Sequence, residues 1–335
     1  MTQPRAIALL SGGLDSVLSA RLILDQGISV IGLHLVSPFA KYTMENVESS
    51  MPAKVARELG IEFIAREMGD EYFDLLKKPR FGFGRAMNPC IDCRILELRR
   101  GLEVMKERDA QFIITGEVVG QRPMSQHKQT IEMIEKQAFA IGLVLRPLSA
   151  KALKPTIAEE KLWVDREKLF GITGRSRKIQ FELAEKFGIK EYLTPAGGCL
   201  LTDREFGKKV KDLLLHQPDF DRNDLRLLIL VRHFRLSPEA KLVAGKNDEE
   251  NKKIIGLARP PDLLIRTDNV PGPAGLLRGK FGPDQIRTAL AIIAYYVHKS
   301  LSAEVPFELE FLAEGRTEKM SAHPIGRPRL EELRI

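Results

Sequence analysis

Leu10-Ser11-Gly12-Gly13-Leu14-Asp15-Ser16 follows the apolar run Ala6-Ile7-Ala8-Leu9 and precedes the helical pattern Val17, Leu18, Ala20, Leu22. A loop of small residues therefore falls at a strand-to-helix turn. Gly12 and Gly13 have no Cβ, so the backbone can come close to an anion, and the exposed N–H groups and positive helix end supply its field. The string has neither the lysine of G-x-x-x-x-G-K-[ST] nor the spacing of G-x-G-x-x-G, so the Walker and dinucleotide readings do not fit.

Outward from this loop, the first two hundred residues alternate strand and helix. Strands are expected near 6–10, 29–35, 61–65, 111–115 and 143–146, as short continuous apolar runs that suit a parallel sheet covered on both faces. Helices are expected at 15–26, 45–59 and 91–108, the first two closed by Gly27 and Gly60. This order predicts an α/β fold: a doubly wound, mostly parallel sheet, followed by a second, smaller α+β domain. The division is expected as 1–205 and 218–335, with the boundary near Gln217-Pro218. Ligands of such a sheet bind beyond the strand carboxyl ends, which makes the backbone at Leu33, His34 and Leu35 the expected adenine site by fold analogy.

The chain of 335 residues has a charged share of 29% and a hydrophobic share of 44%. Those are the proportions of a soluble globular protein, and no apolar run approaches the roughly 20 residues that span a bilayer. The amino terminus runs straight into a strand without a signal-peptide pattern, so a cytoplasmic location is expected. A net charge of +7 suits an anionic partner. From Arg146 to Lys178 there are nine basic residues against four acidic ones, a candidate phosphate track that includes Lys151, Lys154, Arg175 and Arg177.

The phosphate loop resembles the SGGxDS signature of the PP-loop ATP pyrophosphatases, which adenylate a substrate and release pyrophosphate. Two further strings are similar to segments of the tRNA 4-thiouridine synthases: Thr115-Gly116-Glu117-Val118-Val119-Gly120-Gln121 with Met124-Ser125-Gln126, and Arg146-Pro147-Leu148. The resemblance implies a tRNA sulfurtransferase that uses ATP to activate a uridine carbonyl and then replaces its oxygen with sulfur, 4-thiouridine being favoured over 2-thiouridine. Ser11, Gly12, Gly13 and Ser16 would bind phosphate. Asp15, the acid inside the loop, would associate with Mg2+, unless it merely caps the helix. Gly116 and Gln121 match family positions around the nucleotide. Arg146 is expected to anchor phosphate or RNA, or to pair with a carboxylate in the sheet.

Cys90 and Cys93 form C-x-x-C at an expected helix start, where the helix end should favour thiolates, and Cys199 lies far downstream. Three thiols suit a [4Fe-4S] cluster with one iron open to a small ligand. A persulfide relay closed by a disulfide and a zinc or inert role stay open as rivals. The arrangement is similar to that of the cluster-dependent tRNA thiolases and, in its Asn-Pro-Cys context, the 2-thiouridylases. Sulfide or a persulfide carrier would supply the sulfur. His34 and His127 lack spaced partners and read as satisfied polar contacts.

Downstream, Val243-Ala244-Gly245-Lys246-Asn247-Asp248-Glu249-Glu250-Asn251, Asn269-Val270-Pro271-Gly272-Pro273 and Leu276-Leu277-Arg278 resemble the NFACT-R RNA-binding module. That resemblance implies tRNA as partner, with Lys246 and Arg278 on phosphates. A homodimerisation role for the same domain is the bland alternative. The rival functions are another adenylating ligase or amidotransferase of this fold, which would not need the three cysteines, and an RNA-binding protein with a vestigial nucleotide site.

Overall fold

The computed structural model describes residues 3–40, 42–193, 199–298 and 302–335. The chain divides into two compact units, Met1–Leu200 and Leu201–Ile335.

In the first unit, β1 (Arg5–Leu9), α1 (Leu14–Leu24), β2 (Ser29–Val36), α2 (Met51–Glu58) and β3 (Glu62–Glu67) alternate as the apolar spacing predicts. They are followed by α3 (Glu71–Lys77), α4 (Cys90–Glu107), β4 (Phe112–Ile114), α5 (Lys128–Ala138), β5 (Val144–Leu145), α6 (Ile157–Glu160) and α7 (Lys178–Lys186). The five strands are parallel, in the order β3-β2-β1-β4-β5. Strand side chains alternate between faces, and both faces are covered: Ile7, Ile31, Ile113 and Val144 join the α4 and α5 side chains Leu98 and Ile134. Ala6, Val30, Phe112 and Leu145 pack with Ile23 of α1 and with Val164 on the other face. The order turns around between β1 and β4, so the carboxyl end of β1 is the switch point where ligands of such sheets bind. The small-residue loop leaves the sheet there.

The second unit holds α8 (Arg204–His216), α9 (Arg222–Leu228), β6 (Arg232–Ser237), β7 (Ala240–Ala244), α10 (Asp248–Leu257), β8 (Leu263–Thr267), β9 (Gly275–Gly279), α11 (Pro283–Val297), β10 (Val305–Phe311), β11 (Arg316–Ala322) and α12 (Arg327–Leu333). Its antiparallel sheet runs β11-β10-β8-β9-β7-β6. In β10 the alternation Val305, Phe307, Leu309, Phe311 is buried against Leu290 and Ile293 of α11, while Val243, Leu264 and Leu276 pack on Ile254 of α10. One face is thus closed by α11 and the other by α10. Helix α8, ahead of residue 218, is built into this unit: Lys209 donates to the carbonyls of Leu228 and Leu230 at 3.1 and 2.6 Å.

Candidate active site

The phosphate loop is shaped by its own small side chains. Gly12 has φ +76°, a left-handed conformation that favours glycine, and a Cβ there would press on Pro52 at 3.1 Å. Gly13 N–H donates to Ser11 Oγ at 3.3 Å, and Ser16 Oγ donates to the Gly13 carbonyl at 2.7 Å. The carbonyl of Gly12 accepts from Leu193 N at 2.7 Å, which moors the 193 region to the loop.

Asp15 is a buried carboxylate rather than a plain helix cap. Gln121 Nε2 donates to its Oδ2 at 2.7 Å, Arg177 Nη2 lies 3.2 Å from the same oxygen, and Gln180 Nε2 donates to Gln121 Oε1 at 3.0 Å. Its other oxygen, Oδ1, is buried with no hydrogen-bond partner. A buried carboxylate oxygen left uncommitted beside a phosphate loop suits a hard cation such as Mg2+. Gly116 presses on the same place: a Cβ would sit 2.4 Å from Ser16 N and 2.5 Å from the Asp15 carbonyl carbon.

On the second strand, Leu33 is buried and its carbonyl accepts from Leu10 N at 2.8 Å. Strand alternation turns the Leu35 N–H and C=O to that same side, one step past Leu9, the last β1 residue paired with β2. His34 holds the Leu10 carbonyl through Nδ1 at 2.9 Å, and burial lowers its pKa, with that hydrogen bond and Glu97 working in the other direction. It is a satisfied neutral imidazole, as its lack of spaced partners suggests.

The cysteine pair occupies the first turn of α4, with Asn88 Nδ2 donating to Cys90 Sγ at 3.1 Å and Cys93 Sγ donating to Glu97 Oε1 at 3.7 Å. At Cys93 burial works against the thiolate that the helix end favours. Burial pushes its pKa well up, Glu97, Cys199 and Cys90 push the same way, and only Arg94 opposes them. Apolar surroundings here outweigh the helix end. The same influences reveal proximity, because Cys93 feels both Cys90 and Cys199. The buried Tyr72 phenol of α3 is likewise raised by burial first and then by Cys93, Cys199, Glu97 and Cys90. All three cysteines thus lie within electrostatic reach of Tyr72. Among the described residues no three His, Cys, Asp or Glu side chains stand in metal-ligating geometry, and Cys199 is exposed. Residues 194–198, next to Cys199, lie outside the described residues.

A buried ion-pair chain joins the cysteine helix to the nucleotide side. Arg94 Nη1 lies 2.5 Å from Glu97 Oε2 and its Nε 3.2 Å from Glu117 Oε1, while Arg146 Nε donates to Glu117 Oε2 at 3.0 Å and Nη1 pairs with Glu135. Burial favours a neutral Glu117, but Arg94, Arg146 and the Thr115 hydroxyl outweigh it and hold the carboxyl below the usual range. No role for Glu117, Arg94, Tyr72 or Gln180 is evident from the sequence motifs alone. The signal available was an acid in an apolar strand-end segment and a base one residue after C-x-x-C.

Several expected RNA contacts are corrected. Of the two expectations for Arg146, the carboxylate pair is what the fold forms: it is 2% exposed and committed to Glu117 and Glu135, not to RNA. Arg177 turns to Asp15. Lys151 Nζ lies 3.0 Å from Glu167 and Lys154 Nζ 3.3 Å from Glu132 in surface ion pairs, and both lysines stay exposed, as do Arg175 and Lys178. Arg278 is buried in a cage of Asp262 and Asp224, at 2.6 and 2.7 Å, where it binds the domain together rather than phosphate. Lys246 is exposed.

Residues 1–159 match the model of the thiamine biosynthesis protein (ThiI) family, and residues 232–334 match that of the NFACT protein RNA-binding domain. The first unit carries a ThiI-family PP-loop domain and the second an NFACT-type RNA-binding domain. Relatives include a tRNA-specific 2-thiouridylase MnmA of Caldanaerobacter subterraneus subsp. tengcongensis, 32% identical over 34% of this chain and 35% of its own length. A probable tRNA sulfurtransferase of Methanothermobacter thermautotrophicus is 31% identical over 59% of this chain and 44% of its own length. The chain thus spans only about a third to just under half of these two relatives. Among solved structures, the U34-tRNA thiolase NcsA from Methanococcus maripaludis with its [4Fe-4S] cluster is 17% identical, with a TM-score of 0.36 over 68% of this chain and 71% of its own. A 4-thiouridine synthetase–RNA complex with bound ATP is 23% identical, with a TM-score of 0.36 over 55% of this chain and 50% of its own.

Proposed function

We propose that this protein is an ATP-dependent tRNA sulfurtransferase that converts a uridine to thiouridine, 4-thiouridine ahead of 2-thiouridine. The observation that carries the reading is the Thr115–Glu117 segment: Gly116 packs on Asp15 and Ser16 of the phosphate loop while Glu117 grips Arg94, next to Cys93. One segment thereby fixes the distance between an anion cradle and a cysteine pair. An adenylating ligase has no use for that link.

The chemistry needs two displacements. A uracil carbonyl oxygen is a poor leaving group, so it attacks the α-phosphorus of ATP and pyrophosphate departs; sulfur then adds at the carbonyl carbon and AMP leaves with the oxygen. The loop N–H groups and the Ser11 and Ser16 hydroxyls receive the charge that develops on the departing pyrophosphate. Asp15 Oδ1 would take Mg2+, which neutralises phosphate charge, while Gln121 and Arg177 fix the carboxylate from the other side. The Leu35 backbone would read the adenine edge.

Cys90, Cys93 and Cys199 are a soft donor set suited to a [4Fe-4S] cluster, and they would hold it. When bound, such a centre supplies an iron open to an exogenous sulfur ligand. Asn88 orients Cys90, and Arg94 holds Glu97, which accepts from Cys93. Sulfide or a persulfide carrier would deliver the sulfur to unmodified tRNA, and a cytoplasmic location suits both.

The test is anaerobic purification with iron and sulfide analysis, then incubation with ATP, sulfide and unmodified tRNA, and mass analysis of the nucleosides. Thiouridine formed only with ATP, with AMP and pyrophosphate released, is the expected result. ATP turnover on tRNA without any thionucleoside contradicts the proposal.

A further inference from the structure

The second domain carries a cleft of about 270 Å³, walled by the start of β6, the turn into α10, the Pro271-Gly272-Pro273 loop and the end of α11. The cleft is held open by backbone-directed bonds. Asn251 Nδ2 donates to the Gly272 carbonyl at 3.2 Å and its Oδ1 accepts from Ala274 N at 2.9 Å, pinning the proline loop to α10. Gly245 must lack a side chain, since a Cβ would come within 2.1 Å of Asn251 Oδ1.

Arg232 sits on the floor. Its guanidinium stacks 3.8 Å from the Tyr296 ring centroid, and Nη1 donates to the Gly245 carbonyl at 2.6 Å. The Tyr296 hydroxyl accepts from Arg334 at 2.7 Å, so the ring is fixed beneath the cation. Arg235, Arg259, Arg266 and Arg278 of the same domain each meet a carboxylate, whereas no carboxylate pairs with Arg232 among the described residues. The acid that acts on it from a distance, Glu250, has its carboxylate engaged by the Lys246 N–H at 2.8 Å. A half-buried guanidinium that stacks on an aromatic ring, with most of its N–H groups not committed, is built for an oxyanion arriving from outside.

The rest of the lining says which oxyanion. Lys246 adds a second exposed cation at the lip, while Asp248 presents a carboxylate beside it and Asn247 Oδ1 caps α10 by accepting from Glu250 N. Inorganic phosphate would gain nothing from Asp248, which repels it. A nucleotide unit within a chain places its phosphate on the cations and offers a ribose hydroxyl or an exocyclic amine to the carboxylate. We propose that this cleft clasps one unpaired nucleotide of the tRNA, with Arg232 and Lys246 on its phosphate and Asp248 on its sugar or base. The assignment rests on the RNA reading of the domain and names its point of contact, in place of the Arg278 that the fold turns inward to Asp262 and Asp224.

The experiment measures binding of unmodified tRNA to the full-length protein over a range of salt concentrations, for wild type, Arg232→Ala, Arg232→Lys and Lys246→Glu. Arg232→Ala is expected to weaken binding about ten-fold and to flatten the log–log salt slope by close to one counterion, and Arg232→Lys to restore part of the slope. Lys246→Glu alters an exposed side chain, so it keeps the test alive if Arg232→Ala fails to fold, and it should weaken binding in the same way. Wild-type affinity and slope in folded Arg232→Ala and in Lys246→Glu would overturn the cleft assignment while leaving the RNA reading intact. No affinity of the wild-type protein for tRNA would overturn the RNA reading, and the cleft with it. Displacement of tRNA by CMP at matched ionic strength from wild type but not from Lys246→Glu would reassign the cleft to a free mononucleotide and so contradict the proposal.

Discussion

Arg94 Nε lies 3.2 Å from Glu117 Oε1, and this contact ties the first turn of the cysteine helix to the segment that packs against the phosphate loop. Glu117 is 2% exposed and shares its second oxygen with Arg146, so one carboxylate balances two guanidinium groups inside the domain.

Replacing that carboxylate removes the counter-charge shared by Arg94 and Arg146 and leaves them only Glu97 and Glu135. Glu117→Gln should therefore cost about 3 kcal/mol of stability in the first domain, measured by urea unfolding at neutral pH. Its pH dependence has a definite sign. Because the folded pKa lies below the ordinary value of about 4.5, the contribution is complete above that pH and is lost as pH falls toward the depressed value. Wild-type stability should fall more steeply than that of the variant in this acid window, and parallel curves would refute the assignment.

Gly116→Ala places a methyl group 2.4 Å from the Ser16 amide nitrogen, where backbone rather than a flexible side-chain tip must yield. The variant should lose nucleotide affinity at least ten-fold and about 1–3 kcal/mol of stability. Isothermal titration with a non-hydrolysable ATP analogue gives the first number, and unchanged affinity would show that the contact does not shape the loop.

Asp15→Asn keeps the size of the side chain and its contact with Gln121 but removes the charge facing both Arg177 and the uncommitted Oδ1 position. Pyrophosphate release should drop about 10²–10³-fold with folding preserved. Release within a few-fold of wild type would return Asp15 to a capping role.

The sheet was legible because its strands are continuous apolar runs and its helices end in glycine, signals that depend on near neighbours alone. The cysteine helix and the phosphate loop were legible for the same reason. What could not be read were the partners of charged residues. Arg146, Arg177 and Arg278 look like any basic residue in sequence, and only the fold brings Glu117, Asp15 and Asp262 to them. Cys93 is shifted for a related reason: the helix end is a local property, whereas the burial of Cys93 and the charges of Glu97 and Cys199 around it arise from segments that meet in space.

Two buried lysines of the second domain give it an alkaline signature. Burial pulls Lys209 and Lys241 down from 10.5 to about 8, with Asp212 partly offsetting the effect at Lys241. Between pH 8 and 10.5 these two lysines hold more protons in the unfolded chain than in the native one, so their own contribution to stability rises with pH across that window, against the opposite contribution of Cys93 and Tyr72, whose folded pKa values are raised. Lys209→Met should flatten the rise in thermal melts of the full chain. A Lys209→Met protein whose melting temperature changes with pH just as wild type does would contradict this.

The central claim is that the nucleotide loop and the three cysteines serve one reaction in two separable steps. Cys199→Ala, assayed anaerobically with ATP, sulfide and unmodified tRNA, tests it most directly by following pyrophosphate release and thionucleoside formation in the same sample. Pyrophosphate release that persists while thiouridine disappears is the predicted result, and thiouridine formed at the wild-type rate would contradict it.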